Sequence, residues 1–230
     1  MPKPDLMALT GGYRKTPVLQ IGAEIYCDTA LICRVIDRLY PANSVYPLEQ
    51  AAALGAAVHW TDTFLFKVSV AVAFQPKALA GSDLFSDQAA AAAFMADRAE
   101  LSKGSTELGI DLKIAVPYWT MHMQRLDAQL STADFLGGDQ PNVLDFSTYH
   151  CCWFVYKNEA LKPELEQFPA LARWMLRIAG FGHGEIVSIN GEEAVAIARD
   201  SDIATAPKAT DFVDEQLSVG TSVDVMPIDY

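Results

Sequence analysis

Two dipeptides, Arg14-Lys15 and Asp28-Thr29, and the Thr16-Pro17 step between them are the places where this sequence could do chemistry. Arg14 and Lys15 form a local basic patch in a chain of formal charge −12, where an anionic ligand has few other cations to meet. Two solvated loop charges are an equally good reading of the pair. Thr16-Pro17 reads as the entry to a strand and Asp28-Thr29 as the cap of a helix. Trp60 and Phe64 stand one helical turn apart, so they either line an apolar pocket together or pack together in a core. Cys27, Cys33, Cys151 and Cys152 contain no C-x-x-C and have no histidine at zinc-binding spacing. They read as reduced thiols, and no metal site is expected. His59, His122, His150 and His183 are scattered. No nucleophile can be named: Tyr13 and Cys27 are tempting, but Tyr13 fits a loop anchor and Cys27 the end of a strand.

These residues need elements to position them. Pro2 to Leu9 suits a short helix stopped by Gly11-Gly12. The β-branched and apolar run TPVLQI, a turn at Gly22-Ala23 and EIYC then read as a hairpin. Asp28 or Thr29 caps a helix whose Leu31, Ile32, Val35, Ile36 and Leu39 fall at helical spacing. From residue 44 onward the pattern is helical. A long helix follows Pro47, a second opens at Ser86-Asp87, and a third runs from Val116 to Leu130 with Pro117 in its first turn. In FLGGDQPNVLDFSTYHCCWFV, Asn142 and Asp145 have capping-box spacing before a helix too apolar for any place but the centre of a bundle. A last bundle helix spans Glu164 to Ile178. Beyond it, EEAVAIARDSD suits one more amphipathic helix, ATAPKATDFVDEQ a linker or lid, and GTSVDVMPIDY a terminal strand.

With 230 residues, 51% apolar and 20% charged, the chain can bury a substantial core. The acidic excess argues against nucleic acid and anionic membranes as partners, since both demand lysine and arginine. No apolar run is long enough to span a bilayer, and MPKPDLM lacks the apolar stretch of a signal peptide. A cytoplasmic protein is the expectation.

The Tyr13–Asp37 segment, with its Thr-Pro step and Asp-Thr helix start, resembles the second half of the glutathione-binding domain of cytosolic glutathione S-transferases. FLGGDQPNVLDF and FPALARWMLRIAGFGHG resemble two successive helices of that family's second domain. The implied fold is α+β but mostly α: a partial thioredoxin-like α/β domain at 1–42, an all-helical domain at 44–182, and a carboxy-terminal extension at 183–230. The implied function is a transferase that uses the glutathione thiol, as co-substrate, against small hydrophobic electrophiles or in reduction. The resemblance implies a cis-Pro17 that presents the Val18 backbone to the cysteinyl part of glutathione. It also implies Thr29 on the γ-glutamyl carboxylate, Asp28 on the γ-glutamyl ammonium, and Arg14 or Lys15 beside Thr16 on the glycyl carboxylate. Trp60 and Phe64 would face the apolar co-substrate. Family members are commonly homodimers, here through the 28–40 helix and the helix from 47.

The chain departs from the family in one respect. Members carry a preceding strand-helix-strand unit with a Ser, Tyr or Cys at its first turn, and no residue here matches it. Three explanations compete: Met1 lies downstream of the true start, the chain is a non-catalytic interaction module, or another element such as 221–226 or a partner chain fills the gap. The carboxy end, on an incomplete β pattern, suggests truncation there too.

Overall fold

A computed structural model describes residues 4–79, 88–101, 103, 110–203 and 220–223. They fall into two compact units, one of Ile36–Ile186 and one of Pro2–Val35 with Val187–Tyr230.

The smaller unit is built on the expected hairpin. Helix α1 (Pro4–Thr10) leads through the Tyr13–Pro17 loop into β1 (Val18–Ile21), which pairs antiparallel with β2 (Glu24–Cys27). Gly22, at φ 58°, takes the left-handed first position of the two-residue turn, where glycine meets no Cβ penalty. Helix α2 (Thr29–Leu39) follows at once and continues into the larger unit. Asp28 caps it: its carbonyl accepts from the Ile32 N–H at 2.9 Å and its carboxylate from the Ala30 N–H at 3.3 Å.

The larger unit is a helical bundle. A 3-10 turn at Leu48–Gln50 starts a helical run that the sequence reads as one long helix. It is instead α3 (Ala51–Trp60), a π-helical turn (Thr61–Leu65) and α4 (Phe66–Ala73), followed by α5 (Pro76–Leu79) and α6 (Gln88–Leu101). The expected Ser86-Asp87 cap lies outside the described residues. Helix α7 (Leu112–Leu130) starts before the expected Val116, because Asp111 caps it by accepting from the Lys113 N–H at 2.8 Å. Pro117 therefore sits inside the helix. It is tolerated there because the carbonyl left without a partner belongs to exposed Lys113, next to solvent.

Helix α8 (Val143–Tyr156) carries the capping box expected of Asn142 and Asp145. The expected Glu164–Ile178 helix is two, α9 (Lys162–Glu166) and α10 (Pro169–Ala179). Pro169 forces Phe168 into an extended conformation and starts a new helix. Leu65, Val68 and Val72 of the π-turn and α4 pack with Trp119, Met123 and Leu126 of α7, Cys152 and Val155 of α8, and Leu171 and Trp174 of α10. Every described residue that is fully buried lies within this bundle. Helix α11 (Gly191–Asp200), the helix anticipated at EEAVAIARDSD, belongs to the smaller unit. Of the anticipated terminal strand only 220–223 are described, and these are not in a strand.

Candidate functional site

The hairpin register brings the predicted site residues to one end of the smaller unit. Val18 lies across from Cys27, so Thr16-Pro17 entering β1 and Asp28-Thr29 leaving β2 are neighbours. The Thr16–Pro17 peptide is cis. The two-residue turn makes Ile21 and Glu24 the hydrogen-bonded closing pair, and alternation then makes Leu19 and Tyr26 the next such pair. Val18 and Cys27 form a non-bonded pair, so the N–H and C=O of Val18 point to the outer edge of the hairpin. Among the described residues no strand pairs with that edge, and an extended ligand backbone could do so.

Two residues after Cys27 comes the amino terminus of α2, whose first residue is Thr29. The N–H groups of its first turn, of which that of Ala30 is capped by Asp28, and the helix dipole favour an anion there. Asp28 has a left-handed φ of 73°, which places its carboxylate at the hairpin–helix junction. Arg14 and Lys15 are half-buried in the loop that enters β1. The arrangement combines an outward strand backbone, a helix amino terminus and one carboxylate, with Arg14 and Lys15 in the loop that enters β1.

Trp60 and Phe64 belong to the other unit. Their rings are 5.7 Å apart, and each meets a residue of α7: Trp60 meets His122 edge-on at 4.9 Å, and Phe64 meets Tyr118 edge-on at 5.5 Å. Trp60 and Tyr118 remain substantially exposed. Burial, helped by Arg125, lowers the His122 pKa to about 4, so its imidazole is neutral at physiological pH. Spacing within one helix could not have found this partner. Tyr118-His122 and Trp60-Phe64 are each an ordinary helical pair, and only packing sets one against the other.

The cysteines offer little chemistry in the bundle. Burial pushes the Cys151 thiol up to about 12 and Cys152 well above its ordinary range, which makes both poor nucleophiles. None of the four cysteines forms a disulfide, and no cluster of metal-binding side chains exists among the described residues. No described helix is long and apolar enough to cross a membrane.

Residues 1–44 match the glutathione S-transferase N-terminal domain, and residues 110–177 match the glutathione S-transferase C-terminal domain. A GST-like protein from Pseudomonas syringae is 35% identical with a TM-score of 0.73, the match covering 94% of this chain and 67% of that one. A glutathione S-transferase from Actinobacillus pleuropneumoniae is 16% identical with a TM-score of 0.45, over 86% of this chain and 74% of that one. No curated protein matches the chain. With both domains matched in order and a relative this similar, the chain belongs to the glutathione S-transferase family.

Proposed function

We propose that the protein uses glutathione as a thiol co-substrate, conjugating or reducing small hydrophobic electrophiles. The observation that carries this reading is the hairpin register, in which Val18 stands across from Cys27, two residues before the helix start at Thr29. In this reading the Thr29 hydroxyl and N–H donate to the γ-glutamyl carboxylate, and Asp28 faces the γ-glutamyl ammonium. Val18 pairs with the cysteinyl unit, Thr16-Pro17 shapes its approach, and Arg14 or Lys15 meets the glycyl carboxylate. Trp60 and Phe64, with neutral His122 beside them, offer an apolar surface for the electrophile.

The protein acts as a homodimer in the cytoplasm, joined through α2 and α3. A non-catalytic interaction module is the second reading. The large exposure of Leu31, Ile36 and Leu39 along α2 favours it.

Calorimetric titration with glutathione, up to about 10 mM, tests the first reading. Loss of the charge-assisted hydrogen bond in Thr29→Ala is expected to weaken binding by roughly tenfold or more. A folded chain that binds no glutathione over this range removes the transferase reading and leaves the interaction module.

A further inference from the structure

Helix α11 meets the amino-terminal part of its unit at three points. Gly191, its first residue, lies so close to α1 that a Cβ there would stand 2.8 Å from the Cβ of Asp5. At its middle, Gln20 reaches over from β1: Nε2 donates to the Ala194 carbonyl at 2.9 Å and to the Gly22 carbonyl at 3.0 Å. After its last turn, Ser201 rests against the hairpin turn, where a Cβ on Gly22 would stand 3.3 Å from the Cβ and Oγ of Ser201. A reciprocal cap sets the start of the helix. The Glu193 N–H donates to Asn190 Oδ1 at 2.9 Å, and the Asn190 N–H donates to Glu193 Oε2 at 2.8 Å. A helix of this length, about 15 Å, bridges α1 and the hairpin turn.

We propose that α11 clamps β1, and that Gln20 and Gly191 are positioning residues for Val18. A two-stranded hairpin is marginal by itself, and none of the described residues of this unit is fully buried. Something must hold the strand in place. Gln20 and Val18, two residues apart, share a face of β1, so the clamp grips the strand by that face. The outer backbone edge, where the N–H and C=O of Val18 point, is left without a paired strand among the described residues. Fixing the edge before a ligand arrives removes ordering cost from binding. The consequence for glutathione rests on the function proposed above, whereas the effect on the strand does not.

Hydrogen exchange and glutathione titration on the full chain, for Gln20→Met, Gly191→Ala and Gly191→Ala with Asp5→Gly, test the proposal. Exchange at the Leu19 and Ile21 amides should quicken at least about threefold to tenfold in the first two variants, since Gln20→Met removes the bonds to the Ala194 and Gly22 carbonyls and the Cβ added at Gly191 pushes α11 away from Asp5. Glutathione affinity should fall by a similar factor. Exchange in α7 and α8 should stay unchanged, which reports an intact bundle. Removing the Asp5 side chain should return the Gly191→Ala variant towards wild-type behaviour, which a general loss of stability would not do. No acceleration at Leu19 and Ile21 in either single variant overturns the clamp, as does acceleration there with unchanged affinity in a chain that binds glutathione. A wild-type chain that does not bind glutathione overturns the transferase reading instead, and exchange at β1 then decides the clamp alone.

Discussion

Asp28 is the one described non-glycine residue in the left-handed region, at φ 73°. Aspartate and asparagine tolerate this conformation better than most residues, and either can cap the helix that begins next. Asp28→Ala should therefore lower the unfolding free energy by roughly 1–2 kcal/mol, whereas Asp28→Asn should stay within about 0.5 kcal/mol of wild type. Equal denaturation midpoints for the two variants would refute this account. His122 offers a second test at this scale. Its pKa of about 4 in the folded chain lies below the ordinary 6.5. Between these values the unfolded state binds more protons, so stability falls as pH drops from 6.5 towards 4, by about 3 kcal/mol at most. In His122→Phe that part of the slope should vanish, and the two stability–pH curves should diverge below 6.5. Parallel curves would mean that the imidazole is not held neutral. The residues of the hairpin end were legible as types and spacing. The pairing of His122 with Trp60 was not, because no local pattern links α3 to α7.

Two buried or half-buried carboxylates govern how the bundle helices meet. Asp145, fully buried, accepts from the Asn142 N–H at 3.0 Å, the Leu136 N–H at 2.8 Å and the Trp174 indole N–H at 2.8 Å. The first bond is the local capping box, which the Asn-x-x-Asp spacing predicted. The other two tie the preceding loop and α10 to the start of α8. Asp145→Ala would strand these donors and should cost roughly 3–5 kcal/mol, read as a shift in chemical denaturation midpoint. A loss below about 1 kcal/mol would mean that water replaces the carboxylate. Asp127 on α7 plays a related part: its Oδ1 accepts from the Ala170 and Leu171 N–H groups at 2.7 and 3.0 Å. It thus caps α10, whose own N-cap residue, Phe168, makes no side-chain cap bond. Sequence spacing cannot reveal such a cap, since it comes from a distant helix. The same limit hid the π-turn after Trp60, because a helical periodicity does not register one inserted residue.

Burial differs between the units: residues from Leu54 to Ile178 form the core, and the described residues of the smaller unit are only partly buried. Amides of β1, β2 and α11 should therefore exchange at least about tenfold faster than those of α7, α8 and α10. Added glutathione should slow exchange around Val18 and the first turn of α2. Uniform exchange across both units would contradict the burial pattern. By itself the sequence determined the hairpin, α2 with its cap, the apolar helices of the bundle and the family resemblance. Each of these rests on interactions between residues a few positions apart, so their spacing is written in the chain. Only the tertiary structure decided that the 191–200 helix joins the hairpin, that Gln20 holds its backbone, and that Trp60 faces a neutral histidine. These contacts link residues far apart in sequence, and their partners are chosen by packing rather than by period.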